Sequence, residues 1–358
     1  MPSPTWNDRT PAALLIGATG VVGRQAALCL RQRQPEVPII VASRDANRAN
    51  VAAAELGHAR GVAVDLSRPD LGLPADLAVG AVAMFVKDEN LNGQVFAQVR
   101  NAGYVEISSA AFEIAPQAAL YAQYPAAAPI VLASNWLAGA STFAALDLAG
   151  AFARVDSVLI SALLDVEDIG GPAADADYER QTQAGPAGLI RRKGTFSWVS
   201  GDSATGTLTA VDGRQLDAQV FGNLDVLSVS MATGAPDVVF QFAAGETSSR
   251  RQGLGPSHEI HIDIAGTSHD GRIARARRTL VHPQGQAPMT GLGVSLALEA
   301  LLGRTGDSPA PGLYLPHTLV DPTTAVAALR EIGTLITDVD RRSTEEKRSA
   351  TTETVLAQ

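Results

Sequence analysis

One cysteine and three lysines stand among 358 residues, and each scarcity removes a class of chemistry. A single thiol, Cys29, forbids an intramolecular disulfide and gives no pointer to an oxidising compartment. With no second cysteine or histidine near it in sequence, Cys29 reads as a small buried hydrophobe. The lysines, Lys87, Lys193 and Lys347, leave few candidates for amine chemistry, although the chain has 28 basic residues. Charged residues make up only 18% of the chain, and the net charge is −9. That acidic balance denies a nucleic acid the basic face its phosphates need, so no nucleic-acid partner is expected. The most apolar stretches, residues 79–86 and 137–153, are short or interrupted by polar residues and glycine. Neither reaches the ~20 residues of a membrane span, so no membrane partner is expected. The opening "MPSPTWNDRT" lacks a basic segment followed by an apolar core, and a cytoplasmic location is expected.

What is present is an alternation. The short apolar run "AALLI" (12–16) is followed by a helical spacing of Val22, Ala26, Ala27 and Leu30. Further buried-strand runs lie at 37–44, 59–66, 77–86, 103–109 and 128–134, with helical stretches between them and an apolar helix near 139–152. Strands separated by helices predict βαβ units. Residues 1–150 therefore read as a Rossmann-type α/β domain with a doubly wound parallel sheet. Residues 151–288 change character. Runs such as "RVDSVLISALLDV" and "HEIHIDIAG", with turns at Asp212-Gly213 and Asp270-Gly271, predict a second, mixed or antiparallel β domain. Within it, 170–187 is rich in Gly, Ala, Pro and Asp and reads as a mobile loop. Residues 289–340 read as an alanine- and leucine-rich helix followed by one more helix and a short strand, and 341–358 as a disordered tail.

The first strand ends in a glycine cluster, "GATGVVG", with spacing G-x-x-G-x-x-G at Gly17, Gly20 and Gly23. Between an apolar strand and a helix, such glycines allow a tight turn, the approach of a pyrophosphate and close helix packing. Free amides and the positive end of the helix dipole then face the phosphates. Gly17, Ala18, Thr19, Gly20, Val21, Val22 and Gly23 are thus the candidate dinucleotide cradle. An NAD site places a carboxylate about 20 residues further on. Here that place holds Ser43 and Arg44, a hydroxyl and a guanidinium suited to a 2′-phosphate, so NADP(H) is the expected cofactor. Asp45 next door is the residue able to spoil that preference. Asp65, Val86 and Ser108 end the third, fourth and fifth strands and complete the candidate cofactor contacts, beside Ser109, Ser134 and Asn135.

Two chemistries are excluded. No tyrosine has a lysine four residues later, which removes the proton relay of short-chain dehydrogenases. Cys29 lies on the first helix, far from a nicotinamide, which removes the thiol chemistry of semialdehyde dehydrogenases.

Over nearly its whole length the chain resembles the saccharopine dehydrogenase-like oxidoreductases. The likeness rests on "LLIGATGVVG", "VASRD", "GYVEISS", the "DGRIARARR" hairpin and "PGLYLPHTLVDPTTAVAALREIG". It implies that the inserted domain, 151–288, covers the active site, carries substrate contacts and builds a homodimer, and that the C-terminal segment, 289–340, returns to pack on the Rossmann-type domain. It also implies an activity that couples an amine to a carbonyl carbon through an imine. The reading is an NADPH-dependent oxidoreductase that transfers hydride to a small organic substrate at a carbon–nitrogen double bond. A carbon–carbon double bond on the same scaffold, or a non-catalytic NADP(H) sensor, are the alternatives. Lys87 and Asp88, after the fourth strand, are the candidate catalytic pair. Arg191, Arg192 and Lys193 read as a solvated face or as a clamp for an acidic substrate. In "HEIHIDI", His258 and His261 point to opposite faces of a strand, so no metal site is expected and the strip reads as merely polar. His317 reads as a packed structural histidine.

Overall fold

The computed structural model describes residues 10–125, 127–184 and 188–340. The expected tail, 341–358, lies outside the described residues.

Six strands open the chain: β1 (Ala12–Ile16), β2 (Ile39–Ser43), β3 (Ala59–Ala63), β4 (Val79–Met84), β5 (Gly103–Glu106) and β6 (Pro129–Leu132). They alternate with α1 (Val21–Arg33), α2 (Ala46–Leu56), α3 (Asn92–Val99) and α4 (Ile114–Gln123). The long apolar runs become strands because both faces of a parallel sheet are covered, and every residue of β1 is buried. Helix α1 buries Gly23, Ala26, Ala27 and Leu30, the i, i+3, i+4, i+7 stripe of its sequence, and ends with Arg31 and Arg33 at the negative end of its dipole.

The second half contributes α5 (Ala140–Ala149), β7 (Phe152–Asp165), α6 (Pro172–Ala184), β8 (Gly188–Arg192), β9 (Thr195–Val199), β10 (Thr205–Thr209) and β11 (Gln215–Val220). It continues with α7 (Asp225–Thr233), β12 (Asp237–Gly245), α8 (Ser248–Arg251), β13 (His258–Ser268), β14 (Ile273–His282) and α9 (Ala287–Leu301). The chain closes with β15 (Gly312–Tyr314), α10 (Pro316–Leu319), α11 (Pro322–Glu331) and β16 (Leu335–Asp340).

The first sheet has the order β15-β6-β5-β4-β1-β2-β3, with all its strands parallel. The reversal of winding at β1 and β4 opens a crevice at the strands' carboxyl ends, the usual ligand site of such sheets. The second sheet runs β10-β11-β12-β7-β13-β14-β16 and is mixed, since β12 lies parallel to β7 while β13 and β14 are antiparallel. Ile260, Ile262 and Ile264 of β13 face a core shared with Phe143, Leu148, Val226, Val229 and Leu329. Each such side chain, fully buried, contributes roughly 1.5–3 kcal/mol.

Three features depart from the sequence reading. Residues 172–184, expected as a mobile loop, form helix α6, with Pro172 at its first position, where its fixed φ suits a helix. Helix α5, counted with the first domain, packs its Phe143 and Leu148 into the core of the second sheet. The C-terminal segment serves both sheets. Helix α9 packs on α1, its Gly291 so close to Ala26 that an added Cβ would lie 2.7 Å from the Ala26 amide nitrogen. Then β15 joins β6 of the first sheet, while β16 pairs with β14 of the second.

Candidate functional site

The loop after β1 is shaped by its glycines. Gly17 sits at φ +93, a backbone region that L side chains avoid. A Cβ on Gly23 would lie 2.6 Å from the Gly17 carbonyl oxygen, so only glycine lets α1 start this near the strand. The Gly20 amide donates to the Gly17 carbonyl at 2.9 Å and tightens the turn. Gly20 is the N-cap of α1, and no side chain caps the helix's first amides. Those amides are available to an anion, with the helix dipole behind them. Ala18 is buried, Thr19 and Val22 are half-buried, and Val21 is exposed over the cradle. Val86 packs beside Gly17, as its place after β4 predicts. The residues present fit a dinucleotide pyrophosphate.

At the end of β2, Arg44 is exposed. Ser43 is turned toward the chain, its hydroxyl donating to the Asp45 carbonyl at 2.6 Å. Asp45 caps α2, where its Oδ1 accepts from the amides of Asn47 at 2.8 Å and Arg48 at 3.4 Å. Asp65 lies just beyond β3 and closes a small turn by accepting from the Ser67 amide and hydroxyl. Those bonds hold its carboxyl below the usual carboxylate range.

The expected catalytic pair is divided. Lys87 donates to the Ser109 hydroxyl at 2.8 Å and forms an ion pair with Glu113 at 3.3 Å. Asp88 turns the other way and is 2% exposed. It accepts from the Gln94 amide and the Tyr104 hydroxyl, each at 3.1 Å, and so ties α3 to β5. Asp88 is a fold-building carboxylate with no access to the sheet edge, which corrects its assignment as catalytic. Ser108 is buried, and its carbonyl accepts from Arg180 at 2.5 Å.

That bond belongs to a polar knot around α6. Arg180 also donates to Glu113 at 3.0 Å and to Asp177 at 2.6 Å. Helix α6 is thereby fastened across the carboxyl end of β5. Beneath it lies a cavity of about 330 Å³, between the carboxyl edge of the first sheet and the end of β7. Ser109, Ser134 and Asn135 line the first-sheet side, and Leu164, Asp165 and Asp168 the other, with Asp175, Asp177 and Tyr178 above. The cavity lies beside Val22, next to the glycine loop.

Its floor is strained. Leu137 and Ala138 have φ of +53 and +54, followed by Gly139 at +104. Left-handed non-glycine residues cost about 1–3 kcal/mol each. Asp225 holds this turn: its carboxylate accepts from the Trp136 amide at 2.6 Å and from the hydroxyls of Ser141 at 2.5 Å and Thr142 at 2.8 Å. Complete burial pushes the Asp225 carboxyl up to about 6 against those donors. Trp136 stands over the cavity, its indole N–H donating to His258 Nε2 at 2.9 Å, with Phe221 edge-on at 6.0 Å.

Asp168, which the sequence reading missed, is with Asp177 one of two acids of this cleft that burial raises. Burial pushes its carboxyl up to about 6, against a hydrogen bond from the Gln286 amide and aided by the charge of Asp165. The signal available was the acidic run Asp165, Glu167 and Asp168 just after a long apolar strand. Asp165 itself stays ionised: despite its desolvation, donors from Thr247, Glu167 and Arg250 hold it below the usual range.

Other expected sites lie elsewhere. Arg191 is spent on the carbonyls of Ser230 and Ala235, Lys193 sits in the β8–β9 turn at φ +48, and Arg192 lies on the outer face of the second sheet. None of the three lines the cleft, so no clamp for an acid forms there. The polar strip of β13 is partly buried: Glu259 and His261 are inside, while half-buried Asp263 pairs with Arg277 at 2.6 Å. Glu259 accepts from the amides of Val211 and Ser248, which reach it from β10–β11 and α8, while His261 meets Thr279. Among the described residues no group of His, Cys, Asp or Glu is arranged to hold a metal. No described helix is long and apolar enough to cross a membrane. Cys29 is buried, and that burial pushes its thiol up. His317 is half-buried on α10.

No family model matches the chain, and no curated protein matches it in sequence. Solved structures do match. Saccharopine dehydrogenase (L-Glu forming) from Saccharomyces cerevisiae superposes with a TM-score of 0.64 at 12% identity, covering 92% of this chain and 99% of that one. The WlbA dehydrogenase from Bordetella pertussis, solved with NADH and UDP-GlcNAcA, matches at a TM-score of 0.47 and 11% identity, covering 94% and 99%. In its fold, two sheets and the returning C-terminal segment included, the chain is saccharopine dehydrogenase-like.

Proposed function

We propose that the protein is an NADPH-dependent oxidoreductase that reduces a carbon–nitrogen double bond in a small organic substrate, and that it works as a homodimer. The observation that carries this reading is the side-chain-free glycine cradle, with the uncapped start of α1, opening directly beside a walled cleft. When bound, the dinucleotide supplies a hydride, and this chain supplies position and a proton. The amides of Val21, Val22 and Gly23 take the pyrophosphate. Arg44 is exposed for a 2′-phosphate, and Asp45 is drawn away by its capping bonds, which favours NADP(H). Asp168, with its carboxyl near 6, is able to hold or release a proton near neutrality.

Reduction of a carbon–carbon double bond draws on one observation, the lack of Lys and Arg among the described lining residues. The aspartates on the same walls weigh toward a nitrogen-bearing substrate. For the dimer, exposed Phe196, Trp198 and Leu335 on the second sheet offer apolar contacts, and sedimentation measures it.

Fluorescence titration with NADPH and NADH, on the wild type and an Arg44→Ala variant, tests the reading. NADPH is expected to bind at least ~10-fold tighter than NADH, with most of that margin lost in the variant; a tenfold change is about 1.4 kcal/mol. Equal binding of both cofactors removes the 2′-phosphate argument, and binding of neither removes the whole reading.

A further inference from the structure

We infer that the substrate of the cleft presents a positively charged nitrogen beside an apolar or aromatic group, and carries no carboxylate at that position. The inference rests on the cleft being the substrate site, as proposed above, and concerns which charge it accepts.

The cleft contains carboxylates in two conditions. Asp165 is matched by Arg250 at 2.9 Å and Asp177 by Arg180 at 2.6 Å, so their charges are already answered within the protein. Asp168 and Asp175 are not. Asp168 accepts the Gln286 amide at 2.7 Å, and no described cation comes within salt-bridge distance of it or of the exposed Asp175. Asp168 is half-buried, and a carboxylate partly withdrawn from water without a cation gains from a ligand that brings one.

The cations nearby are held back from the cavity. Lys87 stands behind Ser109, neutralised by Glu113, and Arg180 is engaged by Glu113, Asp177 and the Ser108 carbonyl. Among the described lining residues there is no Lys, Arg or His, so an incoming carboxylate would meet like charge and no donor fork.

Two buried amides stand in the wall of the cleft, each with one polar group left without a described partner. Asn135 is 5% exposed and Asn223 is 4% exposed, and both line the cleft. Asn135 spends its amide N–H groups on Thr142 and Ser228, leaving its carbonyl oxygen with no described partner. Asn223 accepts the Asp225 amide but leaves its own N–H group unmatched. Trp136, Tyr178 and Phe221 complete the lining, an aromatic surface more compatible with a cation or an apolar group than with an anion.

The test uses the full chain saturated with NADPH, titrated calorimetrically with three probes that share one ring: benzylamine, benzyl alcohol and benzoate, at neutral pH. Benzylamine is expected to bind at least ~10-fold tighter than benzoate, which carries the opposite charge, with neutral benzyl alcohol between them. Asp168→Asn is expected to remove most of that preference while the affinity for NADPH stays unchanged. If that variant fails to fold, Asp175→Asn at the exposed position is expected to lose part of the preference. Benzoate binding as tightly as benzylamine, no binding of any probe, or an unaltered preference in the folded variants overturns the inference. Failure of the cofactor reading is seen separately, as absent NADPH binding in the wild type.

Discussion

Alanine at Gly20 and alanine at Gly23 separate the two jobs of the glycine loop. A Cβ on Gly23 would lie 2.6 Å from the Gly17 oxygen and 2.7 Å from the Ala18 Cα, so the loop or the helix must shift. Overpacking of that kind costs about 1–3 kcal/mol, against the fraction of a kcal/mol that alanine gains inside a helix. On Gly20 the nearest atom would be the Gly17 oxygen at 3.2 Å, and φ is −87, which alanine tolerates. Its cost to the free protein stays within about 1 kcal/mol, but its methyl projects into the space an anion needs at the α1 amides. The assay is thermal unfolding with and without NADPH. At a hundredfold excess over Kd the cofactor adds about 2.7 kcal/mol to the wild type, and in a chain of 358 residues each kcal/mol moves Tm by roughly 1–2 °C. Gly23→Ala is expected to lower Tm without cofactor by several such degrees. Gly20→Ala is expected to keep Tm without cofactor and lose most of the NADPH increment. A Gly20→Ala protein that retains the full increment refutes the cradle.

Two further outcomes follow from the buried polar groups. Acid should destabilise the protein: burial holds His258 down at about 3 and His282 at about 4, whereas their unfolded forms take up a proton near 6.5. At these two sites the unfolded chain binds more protons below pH ~6.5, each withdrawing up to about 1.4 kcal/mol per pH unit until its folded value is reached. Asp168 and Asp225, raised to about 6, return a similar amount between pH ~6 and ~4. The net loss therefore comes below pH ~4, where Glu259, held at about 2, adds to it. A Tm no lower at pH ~3 than at pH ~7 contradicts this. Asp225→Asn leaves the donors of Trp136, Ser141 and Thr142 a weaker acceptor under a strained turn, and a loss of about 1–3 kcal/mol is expected in denaturant unfolding, with no loss counting against the assigned role of Asp225.

The parts of the molecule legible in sequence are those in which neighbouring residues carry the signal. The apolar runs of β1, β2 and β4 lie in a sheet covered on both faces, so composition alone marked them. The glycine spacing marked the cradle because its geometry is local. Strand β15 is three residues long, too short for any period, and its pairing with β6 is set by what precedes and follows it. Helix α6 read as a loop because Asp, Ala and Pro are common to both, and its fastening by Arg180 joins residues far apart in the chain. Asp88 and Asp168 show the same limit. Sequence placed both next to strand ends, but only the packing turned one inward to Tyr104 and left the other in the cleft.

The last described residues have a further consequence for how the molecule is made. Strand β15 is the outermost strand of the first sheet and β16 the outermost of the second, and only about twenty residues separate them in a chain of 358. During synthesis each sheet therefore waits for its outermost strand until residues 312–340 have emerged. Neither domain is finished ahead of the other, and the glycine loop, made just after β1, has no covering α9 on α1 until residues 287–301 follow.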